Sequence, residues 1–176
     1  ITRVKFIRGT GMHKKMNLGF IGGGVNSAIG AAHFSAIQID GLFQLQAGCF
    51  SRNLKINQLT AEKWGVNEKS VYGDWRNMLE AEKEKLDAIV VLTPTPEHFE
   101  PVIAAVKLGY PVICEKSLAK NSADAAVIKS AVSESGGFLA VTYNYTGYPM
   151  VRELRQMIKS GKLGKVEQVH IEMPQE

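Results

Sequence analysis

No stretch of this chain approaches the roughly 18 consecutive apolar residues that a membrane span requires, so no transmembrane helix and no membrane partner is expected. Cysteine is scarce. The two present, Cys49 and Cys114, have neither a CxxC partner nor a neighbouring histidine, which excludes the usual metal-site spacings. Each closes an apolar run and reads as a buried free thiol, which points to a reducing, cytoplasmic setting. A secretion signal is not expected either, because the apolar stretches between Ile1 and Gly11 are broken by Arg3, Lys5 and Arg8. Met12 or Met16 is the expected natural start, leaving residues 1–15 as an extension. The net charge of +4 is not gathered on a stripe; Lys and Arg are scattered among Glu, so no nucleic-acid partner is expected. Internal repeats and low-complexity linkers are absent.

What remains is 176 residues, 45% of them hydrophobic, enough for one domain with a real core plus a fragment of another. From Asn17 onward, short β-like runs alternate with helical ones, the pattern of parallel strands joined by crossover helices. Strands are expected at Asn17 to Ile21, Phe43 to Phe50, Val71 to Tyr72, Asp87 to Leu92, Pro111 to Cys114 and Phe138 to Val141. Helices are expected between them at Ala28 to Gln38, Asn53 to Trp64, Trp75 to Glu82, His98 to Leu108 and Ser122 to Ser135. Six strands with five crossovers predict an α/β fold, a doubly wound parallel sheet of the Rossmann dinucleotide-binding kind. After Tyr145 the pattern changes. A helix around Met150 to Ser160 and an alternating strand from Val166 to Met173 read as the opening of a second sheet, so residues 16–146 are expected as one domain and 147–176 as the incomplete start of an α/β substrate domain.

The strongest local signal is the run from Leu18 to Gly24, a strand passing straight into glycines and then a helix. Glycine lets a pyrophosphate approach the backbone, and the helix N-terminus offers it free N–H groups and a positive dipole end. Gly22 and Gly24 fit the first two positions of GxGxxG, but Ser27 stands at the third, and the next candidate, Gly30, implies three extra loop residues. Val25 and Asn26 lie within that loop and are expected to touch the cofactor. At the end of the second strand, an acidic residue would bind a free ribose 2′-hydroxyl. Here Ser51 and Arg52 stand instead, a pair suited to a 2′-phosphate, which favours NADP over NAD. The plainer alternative makes Arg52 a solvated residue and Asn53 a helix cap. Thr93, Pro94 and His98 follow the fourth strand at the sheet edge where ligands bind in this architecture; a stiff turn that opens a helix is the other reading. Glu115 and Lys116 emerge from the fifth strand beside the expected nicotinamide position, either as a surface ion pair or as a site.

These residues together resemble the Gfo/Idh/MocA oxidoreductases. The resemblance runs from Met16 to Glu176 through the glycine loop with Gly30 and His33, the Thr-Pro segment closing on His98, and Glu115-Lys116. It continues through Thr142 to Pro149 and the turn from Gly161 to Gly164. It implies an N-terminal Rossmann domain, a C-terminal domain with a large open sheet, NAD or NADP as cofactor, and a sugar or cyclitol substrate. It also implies that Lys116 matches the family's lysine of Glu-Lys-Pro. Ser117 departs from that proline and Thr95 from a frequent Asn, and the family's second catalytic group is expected beyond residue 176.

Hydride transfer from a carbinol carbon requires that the hydroxyl lose its proton. Lys116 is the catalytic candidate, placed to polarise that oxygen, and Tyr145 is a candidate substrate or nicotinamide contact, with a packing role equally open. Three functions stay in view: a dehydrogenase or reductase of polyhydroxy substrates, homo-oligomeric when intact and inactive as this chain alone; an NAD-dependent redox glycosidase; and a non-catalytic dinucleotide-binding module.

Overall fold

The computed structural model describes residues 14–39 and 41–174. The expected N-terminal extension and the candidate start Met12 lie almost wholly outside them. The chain divides into two compact units, one running through Thr142 and the other from Tyr143.

The first unit is a five-stranded, all-parallel sheet in the order β2-β1-β3-β4-β5. Its strands are β1 (Met16–Gly22), β2 (Phe43–Cys49), β3 (Ala88–Leu92), β4 (Val112–Glu115) and β5 (Leu139–Thr142). The helices are α1 (Ala28–Ile39), α2 (Leu54–Trp64), α3 (Trp75–Ala81), α4 (Phe99–Lys107) and α5 (Ser122–Ser135). β3 explains why the sheet sits in the middle: all five residues are buried, and successive side chains point to opposite faces. Ala88, Val90 and Leu92 join Leu18, Phe20, Ile37 and Phe50 on one face, while Ile89 and Val91 join Met78, Val102, Ala105 and Val106 on the other. Each large apolar side chain so covered contributes about 1.5–3 kcal/mol relative to exposure.

Two expected strands do not form. Val71 makes only an isolated parallel bridge to Gly48, so the sheet has five strands rather than six. A side chain from α2 takes over the backbone there: the Tyr72 carbonyl accepts from Asn57 Nδ2, and only the Tyr72 N–H reaches β2, at Gly48 O. Residues Val166 to Met173 are also not a strand, since they pair with no other strand among the described residues and an unpaired strand has no ladder to hold it.

The second unit holds a 3-10 turn, Asn144–Gly147, and helix α6, Pro149–Lys159. Proline starts α6 where its missing N–H costs nothing. Met150, Val151, Leu154 and Ile158 of this helix are exposed. No helix among the described residues is long and apolar enough to cross a membrane.

Candidate active site at the carboxyl edge of the sheet

From β1 the chain first steps outward to β2 and then crosses back to β3 on the other side, so the loops after β1 and β3 diverge and leave a crevice. A groove of about 1010 Å³ lies there. Gly22, Gly24, Asn26, Ser51, Arg52, Thr93, Pro94, Glu115 and Lys116, all singled out from sequence, line it together.

The glycine loop is built by sterics. Gly22 and Gly23 have φ of 81° and 73°, in the left-handed region that disfavours other residues. A Cβ on Gly30 would come 1.8 Å from the Gly23 carbonyl oxygen, so only glycine lets the first turn of α1 pack on the loop. Gly30 therefore serves as the third glycine, and the residues from Val25 to Ser27 take up the extra length. The Gly24 N–H donates to Phe50 O and the Val25 N–H to Thr60 Oγ1. Val25 thus meets Thr60 with its backbone and does not line the groove. Among the described residues the N–H groups of Asn26, Ala28 and Ile29 find no acceptor, the normal state of a helix start. They give the groove a set of unspent donors suited to a pyrophosphate.

Ser51 and Arg52 leave β2 on the outer wall. The Ser51 hydroxyl oxygen accepts from the Asn53 N–H, and Asn53 caps α2 by accepting from the N–H groups of Lys55 and Ile56. Arg52 is not merely solvated: its Nη2 donates to Glu97 Oε1 at 3.1 Å. Glu97 closes the 3-10 turn Thr95–Glu97 on the facing wall and also lines the groove. Beside it, Thr93 Oγ1 is shielded from solvent and has no hydrogen-bond partner among the described residues.

His98 lies behind this wall rather than on the groove. It is fully buried, with Nε2 at 2.7 Å from the Thr93 carbonyl and Nδ1 at 2.8 Å from the Ser117 carbonyl. Both ring nitrogens are therefore occupied by backbone, and His98 acts on the site by holding two loops in place. The Lys116–Ser117 peptide bond is cis.

Glu115 does not pair with the Lys116 side chain. Its Oε1 accepts from His33 Nε2 at 2.9 Å and from the Thr142 hydroxyl at 2.6 Å, and its Oε2 accepts from the Lys116 N–H. Burial by itself would push the Glu115 carboxyl up. The hydrogen bonds from His33, Thr142 and the Lys116 N–H together outweigh it and hold the group below its ordinary value. A fixed carboxylate thus braces the backbone from which Lys116 enters the groove, and the Lys116 ammonium makes no ion pair among the described residues. Tyr145 lies in the second unit, exposed, with its ring 5.6 Å from that of Tyr148.

The sequence reading missed Glu97, Thr60 and Thr142. Thr60 is legible only as a small polar residue within an expected helix, and Thr142 only as the first residue of the run to Pro149 that carries the resemblance.

A dinucleotide fits what these residues offer: left-handed glycines, unspent N–H groups, a shielded hydroxyl and a cation at the far end. Residues 16–143 match the family model described as an oxidoreductase family with an NAD-binding Rossmann fold, GFO_IDH_MocA. The chain belongs to the Gfo/Idh/MocA oxidoreductases. It is 31% identical over 163 residues to an uncharacterized oxidoreductase of Bacillus subtilis, YfiI, covering 90% of this chain and 42% of that protein. It is also 26% identical to a levoglucosan dehydrogenase of Pseudarthrobacter phenanthrenivorans, covering 87% of this chain and 39% of the relative. The inositol dehydrogenase homolog of Azotobacter vinelandii, solved with NAD+, superposes with a TM-score of 0.82 at 32% identity. That match covers 86% of this chain and 40% of the solved one. This Gfo/Idh/MocA chain therefore spans about two fifths of the length of the relatives it matches.

Proposed function

We propose that this chain supplies the cofactor-binding part of an NAD(P)-dependent oxidoreductase acting on a sugar, cyclitol or related polyhydroxy compound. The observation that carries this reading is the shared groove, with unspent N–H donors of the α1 start at one end and the Lys116 ammonium at the other. Residues 16–146 form the cofactor domain in this reading, and 147–176 begin the substrate domain. Bound nicotinamide supplies a hydride acceptor or donor. The chain's own residues do the rest. Asn26, Ala28 and Ile29 bind the pyrophosphate through backbone N–H groups, and Thr93 donates its shielded hydroxyl. Lys116, braced through Glu115 by His33 and Thr142, polarises the substrate oxygen as its proton leaves and holds the negative charge that develops. Tyr145 serves as a substrate contact.

The comparisons favour the same substrate class, since a levoglucosan dehydrogenase and inositol 2-dehydrogenases are among the relatives. Ser51 and Arg52 taken alone favour NADP; the Glu97 carboxylate facing Arg52 counts against a second negative charge there and favours NAD. Two buried free thiols suit a cytoplasmic setting.

The test is a panel of cyclitols and sugars with the complete enzyme, following NADH or NADPH absorbance. Lys116→Ala is expected to lower kcat by about 10²–10⁴-fold while changing cofactor affinity far less. An unchanged kcat would remove Lys116 from the chemistry.

A further inference from the structure

We propose that Glu97 sets the cofactor preference of this chain, acting from the wall opposite the usual acidic residue to make the groove select NAD over NADP. The proposal rests on the dinucleotide reading of the groove. In this architecture the adenosine ribose lies at the end of β2, where a carboxylate distinguishes a 2′-hydroxyl from a 2′-phosphate. Here the end of β2 reads Cys49, Phe50, Ser51, Arg52, with no acidic residue. Glu97 instead reaches the same place from the loop after β3, with Oε1 3.1 Å from Arg52 Nη2. Two loops from two strands thus meet across the groove's outer end.

The consequence follows from charge. The Arg52 guanidinium is the group that suits a 2′-phosphate, and Glu97 already neutralises it. The neighbouring cation, Arg76, does not replace it, because it is paired with Glu100 and Asp74 and lies over the Trp75 ring at 4.0 Å. A 2′-phosphate entering here meets a carboxylate at close range with no uncommitted guanidinium beside it, whereas a 2′-hydroxyl can donate to that carboxylate. The backbone under Glu97 is fixed, since its N–H donates to Pro94 O at 2.8 Å and Pro94 and Pro96 stiffen the turn.

The test is calorimetric titration of this chain with NAD+ and NADP+ separately, at low and at physiological salt. The wild type is compared with Glu97→Gln, Arg52→Ala and the double variant. Glu97→Gln is expected to raise NADP+ affinity by about tenfold with NAD+ affinity little changed, more strongly at low salt. Adding Arg52→Ala should abolish that gain. If both dinucleotides bind and Glu97→Gln leaves their ratio unchanged, or shifts both equally, the role of Glu97 is overturned while the dinucleotide reading stands. If neither binds to any of the four proteins, both fall together. Circular dichroism of each variant confirms that the exposed substitution leaves the fold intact.

Discussion

His98 joins Thr93 to Ser117: one buried imidazole lies 2.7 Å from the first carbonyl and 2.8 Å from the second. The two carbonyls belong to different loops, one after β3 and one after β4, and between them they frame the Lys116 end of the groove. Replacing His98 by alanine leaves a cavity and removes the ring that links the two carbonyls. A loss of about 2–4 kcal/mol is expected in chemical denaturation, with weaker NAD+ binding. His98→Phe should restore part of the stability but not the binding. Equal recovery of both would mean that the ring only fills space.

Gly30 and Gly23 are in a similar relation through sterics alone. With a Cβ 1.8 Å from the Gly23 carbonyl oxygen, Gly30→Ala must move either α1 or the loop. Cofactor affinity is expected to fall by more than about tenfold, and thermal stability to drop. By contrast, a Cβ at Gly41 meets nothing within 4 Å, but its φ of 62° still strains alanine, so Gly41→Asn, which tolerates that region, is the milder control. Titration and thermal melts of the two variants distinguish a local steric effect from general glycine loss.

Acid should destabilise the first unit partly through Glu82, which is 1% exposed and accepts from the Tyr72 hydroxyl at 2.7 Å. Burial pushes its carboxyl up, but the hydrogen bond from Tyr72 and the nearby Lys85 ammonium overcome this and hold it below its ordinary value. A carboxyl lowered in the folded state contributes stability that is fully present above its unfolded value and is lost as pH falls through its folded one. Tyr72→Phe removes a donor, so stability near neutrality should fall by about 1–2 kcal/mol and its decline below the unfolded value should become shallower. Denaturant midpoints between pH 3 and 7, roughly the carboxylate range and above, measure both effects.

The two thiols should be inert while the chain is folded. Burial, with the Asp74 charge second, pushes Cys49 up to about 11, and burial, with the Glu115 charge second, pushes Cys114 up to about 12. At mildly alkaline pH neither forms appreciable thiolate. A disulfide reagent should label neither residue in buffer and both in denaturant; rapid labelling of folded protein would contradict the burial of these side chains.

Much of the fold was readable from periodicity. The run Ala88 to Leu92 is apolar at every position because a central parallel strand is covered on both faces, and the glycines after β1 mark the turn that only glycine permits. Residues 71 and 72 were misread because their β-branched and aromatic character is real. What competes with pairing there is a long-range hydrogen bond from Asn57, which no local pattern announces. The strand expected from Val166 to Met173 failed for a related reason, since alternation describes one strand and pairing needs two.

For the site, residue type and position within an element located Gly22, Ser51, Thr93, Glu115 and Lys116 at the same edge of the sheet. That much follows from the chain's alternation, because in a parallel sheet every loop after a strand opens on the same side. Which of these residues face the groove, and what they hold, is a matter of contacts between loops far apart in sequence. Glu115 turned to His33 and Thr142 rather than to Lys116 beside it; His98 turned inward; and Glu97, unremarkable in sequence, met Arg52 across the crevice. Local propensity and spacing determined the elements and their direction, whereas the partner of each charged side chain was decided only when packing brought the loops together.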